Sequence, residues 1–249
     1  MTETFKITLA QLNPTVGDFE SNSAKICDTW QQAKNARSDL VAFPEMFLTG
    51  YNTQDLVRKP AFLDVAEAYV QKIATACAEG PAIALGAPIR ENGKLFNAYV
   101  ILEGGAIKAV VQKHHLPNQN VFDEVRIFDQ GAVSGPYVCG PLRIGSPICE
   151  DAWHEDVAET MAETGSDVLL IPNGSPYYRG KHDLRVNLMV SRVIETGLPL
   201  IYLNMVGGQD DQVFDGGSFV LNTGGDLALQ LPFFEEAIAH IELSQQDGG

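Results

Sequence analysis

Residues 168–203, VLLIPNGSPYYRGKHDLRVNLMVSRVIETGLPLIYL, place an apolar run (Val168–Ile171), a helix-length segment (Asp183–Thr196) and a second apolar run (Leu200–Leu203) in succession. Each run is too short for a helix and is bounded by Pro or Gly, so both read as buried strands flanking a helix. The same alternation opens the chain. Phe5–Leu12 reads as a strand, and Ser21–Ala36 as a helix with apolar positions at Ala24, Ile26, Cys27, Trp30 and Ala33. Leu40–Phe43 is a short strand halted by Pro44, and Pro60 sits at the start of a helix carried on by Phe62–Ala78. In the middle, Ala82–Ala87, Phe96–Leu102 and Ile107–Val111 are strand-like, with Gly104-Gly105 turning between the last two. Leu142–Ile148 predicts a strand running straight into Cys149, and the composition of Glu155–Glu163 predicts a helix. Phe219–Leu221, Leu227–Leu231 and Ala237–Ile241 read as antiparallel strands, with turns at Gly224-Gly225 and Pro232. The expected class is α/β, with helices packed over mixed sheets in one domain; the topology stays open.

The chain has 249 residues, enough for a sizeable core, and 17 Lys and Arg against 32 Asp and Glu give a net charge of −15. That excess of acid argues against tracking nucleic-acid phosphates and against docking on an anionic membrane. No stretch reaches the roughly 20 apolar residues of a spanning helix, and Met1–Lys6 lacks a signal-peptide pattern. Cys27, Cys77, Cys139 and Cys149 are scattered without a CxxC pair, so the expectation is a cytoplasmic protein with reduced thiols.

Three reactive residue types follow apolar runs. Cys149 comes directly after Ile144–Ile148, where a nucleophile on a sharp turn is presented with the next backbone N–H beside it. An isolated Cys in an apolar segment is more often a small buried hydrophobe, so position alone favours the structural role. Glu45 follows Leu40–Pro44 and would serve as a general base, although loops commonly carry solvated carboxylates. Lys113 follows Ala106–Gln112 and would steady a developing oxyanion, although such a Lys is commonly a solvated terminus. Strand ends are where active sites gather in layered α/β folds.

Other features carry less. His114-His115 invites a metal, but adjacent residues rarely face one ion, and no HExxH or Cys cluster accompanies them. Asp123-Glu124 and Asp210-Asp211 are unexceptional in so acidic a chain, and the sequon Asn173-Gly-Ser175 means little without a secretory route. Neither GxxxxGK[ST] nor GxGxxG occurs, and Gly207–Asp210 lacks the hydroxyl residues of a phosphate cradle. No metal is expected.

Taken in order, Phe43–Glu45, Lys113 and Cys149-Glu150 resemble the nitrilase, or carbon–nitrogen hydrolase, superfamily over nearly the whole chain. Within it the likeness narrows to the glutaminase domain of glutamine-dependent NAD synthetases. The blocks FPEMFLTGY (43–51), KHHLPN (113–118), VFDEVRIF (121–128), ICEDAW (148–153), NGSPY (173–177) and YLNMVGGQDD (202–211), leading into VFDG (213–216), carry it.

The resemblance implies a four-layer α-β-β-α sandwich and a Glu45–Lys113–Cys149 triad, with Glu124 as a second carboxylate near the lysine. It implies that the Glu150 backbone N–H and Lys113 stabilise the oxyanion, and that Tyr51, Ser175 and Lys181 surround L-glutamine, Lys181 at its carboxylate. Many relatives carry Tyr where this chain has Gln119, a departure in the pocket wall. The family's glutaminase precedes a synthetase domain that uses ATP and magnesium to amidate nicotinic acid adenine dinucleotide. This chain stops at Gln245–Gly249 and reads as the glutaminase alone, cofactor-free, cut from a longer enzyme and forming a homo-oligomer. A free-standing amidase or ω-amidase of the superfamily is the alternative, and a non-catalytic scaffold a third reading that the complete triad opposes.

Overall fold

The computed structural model describes residues 4–119 and 122–244. Its elements run β1 (Thr4–Gln11), α1 (Phe19–Asn35), β2 (Leu40–Ala42), α2 (Pro60–Ala76), β3 (Ala82–Glu91), β4 (Lys94–Glu103) and β5 (Ala106–Gln112). Then come β6 (Tyr137–Cys139), β7 (Leu142–Gly145), α3 (Glu155–Glu163), β8 (Val168–Asn173), α4 (Lys181–Thr196) and β9 (Leu200–Asn204). The chain ends with β10 (Val206–Gln209), β11 (Gln212–Asp215), β12 (Phe219–Leu221), β13 (Leu227–Gln230) and β14 (Ala237–Ser244).

Local chemistry explains the helix limits. The Asp18 side chain accepts the Ser21 N–H at 3.0 Å and so caps α1. Pro60 occupies the first turn of α2, where its missing N–H costs nothing, and Gly197 closes α4 at φ 70°.

Two six-stranded sheets form, in the orders β14-β1-β2-β3-β4-β5 and β13-β12-β9-β8-β7-β6. Each has three parallel strands at its centre, β1-β2-β3 and β7-β8-β9, joined by helical crossovers and flanked by antiparallel neighbours. Alternation along the strands builds the layers. Leu40 and Ala42 join Ile7, Leu9, Tyr99, Leu169, Ile171 and Leu200 in a core shared by both sheets. Val41, Ile83, Leu85 and Val100 face the other way, packing on Ile26, Trp30, Ala66 and Ile73 of α1 and α2. Val157, Met161, Met189 and Val193 bring α3 and α4 onto the second sheet. The result is the expected α-β-β-α sandwich, and it puts the ends of β2, β5, β7 and β8 around one site.

The structure corrects several expected elements. The strand entering Cys149 stops at Gly145, because Pro147 has no N–H and the Ile148 N–H donates to the Asp151 side chain at 3.0 Å. The last three strands pair antiparallel as expected but divide between the two sheets. β13 pairs with β12, but β14 crosses to the other sheet and pairs with β1. Gln11 pins that crossing, donating to the carbonyls of Pro232 and Glu235 at 2.7 and 2.9 Å and accepting from Ser218 N–H at 2.9 Å. β6 and the β10–β11 hairpin were not expected.

Candidate active site

Glu45 leaves β2 through Phe43-Pro44 and is fully buried. Its position depends on Gly86 of β3. A Cβ there would lie 2.2 Å from the Met46 nitrogen and 2.5 Å from the Pro44 carbonyl oxygen, both rigid backbone. Glu45 Oε1 accepts from Lys113 Nζ at 2.6 Å and from Asn97 Nδ2 at 2.8 Å, and its Oε2 accepts from the Gly174 N–H at 2.8 Å.

Lys113 is equally buried and bridges two carboxylates. Its Nζ stands 2.6 Å from Glu45 and 2.9 Å from Glu124. Burial alone would push the ammonium down, but Glu124 and Glu45 outweigh it and hold Lys113 well above its ordinary value. Burial is also the main force on Glu124, raising it to about 7 against the pull of Lys113. Tyr51 Oη donates to Glu124 Oε1 at 2.7 Å; burial first, then Glu124, raises its hydroxyl well above the usual phenol range.

Cys149 is 4% exposed and opens the 3-10 turn Cys149–Trp153 at φ 49°, a left-handed conformation uncommon for a side chain of this kind. Burial, then Glu45, raises its thiol, while Lys113 pulls it down.

Asp151, two residues on, was part of a quoted motif but carried no expected role. Its Oδ1 accepts the N–H groups of His114 and His115 at 3.0 and 2.7 Å, and its Oδ2 accepts that of Ile148. One buried carboxylate thus fastens the backbone after Lys113 to the backbone before Cys149. Burial raises it to about 6.

Ser175 lies buried beyond β8. Its Oγ accepts from Arg185 Nε at 3.1 Å and its carbonyl from Arg185 Nη2 at 2.8 Å, while Arg185 Nη1 meets both Asp215 oxygens at 2.8 and 3.0 Å. Lys181 is the first residue of α4 and lies over the rings of Trp153 and Tyr178 at 4.0 and 4.8 Å. Burial, then Arg185, lowers its ammonium. Gln119 is exposed, its carbonyl accepting from Phe122 N–H at 3.1 Å. Phe122 itself packs toward Tyr51, with ring centroids 6.4 Å apart. Val121 of the quoted block lies outside the described residues.

Glu45, Lys113, Glu124 and Tyr51 are thus in direct contact, with Cys149 in their electrostatic field and Ser175 joined to them through Gly174. Asn97, Gly86, Asp151, Arg185 and Asp215 were missed. His115 Nε2 pairs with Asp156 at 2.8 Å, and with His114 the three bring ligand atoms within 4.8 Å of one another. Of the two, only His115 bonds that carboxylate; the His114 Nδ1 lies 2.8 Å from the Gly131 carbonyl oxygen.

A buried carboxylate, ammonium and thiol lie at strand ends of an α-β-β-α sandwich. The chain belongs to the carbon-nitrogen hydrolase family, whose model matches residues 6–248. It is 56% identical over 245 residues to a glutamine-dependent NAD(+) synthetase of Rhodobacter capsulatus, covering 98% of this chain and 44% of that protein. The chain thus spans a little under half the length of that relative. Among solved structures, the glutamine-dependent NAD+ synthetase of Acinetobacter baumannii superposes with a TM-score of 0.91 at 33% identity, over 98% of this chain and 46% of that one. An amidase of the nitrilase superfamily from Nesterenkonia AN1 shares the fold at TM-score 0.85 and 22% identity, over 97% and 91% of the two chains. Among the described residues, no helix is long and apolar enough to cross a membrane.

Proposed function

We propose that this chain is a glutaminase. It hydrolyses the side-chain amide of L-glutamine and supplies ammonia to a synthetase domain that converts nicotinic acid adenine dinucleotide to NAD. ATP and magnesium belong to that second domain. The observation that carries the reading is Lys113, a buried ammonium held between Glu45 and Glu124 in a chain 56% identical to a glutamine-dependent NAD(+) synthetase.

Glu45 takes the Cys149 thiol proton as the sulfur attacks the amide carbon and the carbonyl electron pair moves to oxygen. Lys113 and the Glu150 backbone N–H stabilise that oxyanion. The C–N bond breaks, Glu45 returns the proton to the departing nitrogen, and a thioester and ammonia result. Water then loses a proton to Glu45 and attacks the thioester; the C–S bond breaks, glutamate leaves and the thiol is restored. The raised thiol of Cys149 fits this sequence, since the thiolate forms only as attack proceeds.

Tyr51 and Ser175 border the substrate. Lys181 takes the α-carboxylate, which would relieve a partly buried ammonium now resting on two rings. Gln119 keeps its place in the outer pocket wall through the resemblance alone.

The test is intact mass after exposure to an electrophilic glutamine analogue, with Cys149→Ala and competition by free glutamine as controls. A single adduct, absent in the variant and blocked by glutamine, is expected. A Cys149 that ignores the analogue but reacts with electrophiles built on other small amides would instead make the protein a free-standing amidase of the same family.

A further inference from the structure

Two thiols far from the catalytic chemistry meet between the helices that cover the first sheet. Cys27 lies within α1, Cys77 is the C-cap residue of α2, and both are free. The Cys77 S–H donates toward the Cys27 sulfur across 3.9 Å. Their environments differ. Cys27 is partly exposed, whereas Cys77 is buried against the packing of α1 and α2 on the sheet.

We propose that Cys27 and Cys77 form a redox-modification site: Cys27 is oxidised by a hydroperoxide, and Cys77 resolves the product into a disulfide that ties α1 to α2. An accessible thiol that gains thiolate character beside a second thiol is the arrangement that reactive redox cysteines share. Here the Cys77 hydrogen bond is the leading cause that lowers the Cys27 thiol to about 7, and Lys72 adds to it, against burial and Asp28. The partly exposed Cys27 is the sulfur that a peroxide can reach, and the buried Cys77 is placed behind it to resolve the product.

The chemistry balances with the peroxide as the two-electron oxidant. The Cys27 thiolate attacks one peroxide oxygen, the O–O bond breaks, and the departing alkoxide or hydroxide leaves as an alcohol or water. The Cys27 sulfenic acid is then attacked by the Cys77 sulfur. An S–S bond forms, the S–O bond breaks, and the oxygen leaves as water with the Cys77 proton.

Closing the gap to a disulfide's S–S length of about 2.0 Å requires the sulfurs to approach by roughly 2 Å. Cys77 is the C-cap of α2 at φ −105°: its N–H still closes the last helical bond, to the Ile73 carbonyl at 2.9 Å, and the chain leaves the helix directly after it.

The whole chain, treated with stoichiometric hydrogen peroxide and digested without reductant, tests this. The expected first product is a Cys27–Cys77 cross-linked peptide lacking two hydrogen atoms, restored by dithiothreitol. In Cys77→Ser the cross-link is absent and a sulfenic acid at Cys27 is trapped by dimedone; in Cys27→Ser neither forms. Cross-linking should also proceed unchanged in Cys149→Ala. Oxidation of Cys139 or Cys149 with Cys27 and Cys77 still reduced would overturn the proposal. So would conversion of Cys27 to sulfinic acid without a cross-link in the wild-type chain.

Discussion

The Glu45 carboxylate accepts the backbone N–H of Gly174 at 2.8 Å, a bond between a loop leaving the first sheet and the end of β8 in the second. Lys113 and Asn97 occupy the other oxygen, so three donors hold the proposed base in one orientation. Glu45→Gln keeps the shape while removing the basic oxygen. Ammonia release from glutamine should fall by about 10²- to 10⁴-fold, with the protein still folded. Equal turnover in the variant would remove Glu45 from the proton-transfer role.

Gly86 sets the position from which Glu45 works. An added Cβ meets backbone of Pro44, Glu45 and Met46 at 2.2–2.6 Å, and backbone cannot rotate away as a side chain can. Gly86→Ala should destabilise the fold by about 1–3 kcal/mol. It should also slow Cys149 trapping by the glutamine analogue, because the displaced loop carries the proposed base. A thermal midpoint and a trapping rate both equal to wild type would show that β3 yields instead.

Glu45, Lys113 and Cys149 stand out in the sequence because each follows a short apolar run, but position alone favours a bland role for each. Only the ordered motif blocks of the family resemblance join them into one candidate site. Their supports do not stand out, for physical reasons. Asn97 sits in β4 like any polar residue in an alternating strand, and only the fold brings it to Glu45, 52 positions away. Asp215 ends a hairpin whose tip, Gln209–Gln212, is polar and reads as loop, so neither β11 nor its pairing with Arg185 has a local signature. The placement of β14 beside β1 depends on pairing such as Leu9 with Ala239, which alternation along either strand leaves undetermined. The β-α-β succession at 168–203 is local, and it stands in the structure as β8, α4 and β9.

Asp151 should act on rate more than on affinity. It touches none of the proposed substrate groups but holds His114, His115 and Ile148 beside Lys113 and Cys149. Asn in its place keeps one acceptor and turns an N–H toward a backbone donor, at a cost of about 1–3 kcal/mol. Asp151→Asn should lower kcat for glutamine while leaving KM within a few-fold, and a KM increase alone would contradict a positioning role.

Glu124 makes a signed prediction for pH. Burial raises its carboxyl from 4.5 to about 7, so the folded state binds the proton more tightly than the unfolded chain. The resulting stabilisation is complete below the unfolded value and is lost as pH rises through about 7. Glu124→Gln cannot lose a proton. Its thermal midpoint relative to wild type should therefore rise between pH 4.5 and 7. A constant difference across that window would mean that Glu124 is ionised throughout.

Arg185 and Asp215, each 1% exposed, form a buried ion pair that also holds the Ser175 loop through the Ser175 hydroxyl and the carbonyls of Ser175 and Pro176. Removing one partner leaves a buried charge alone. Arg185→Met should thus cost about 3–5 kcal/mol in urea unfolding. Replacing both, as Arg185→Met with Asp215→Leu, removes the unpaired charge and should recover a large part of that loss. The carbonyls of Ser175 and Pro176 still lack their donor in the double variant. Stability should therefore return while trapping of Cys149 by the glutamine analogue stays weak, and recovery of both together would separate the ion pair from the shape of the Ser175 loop.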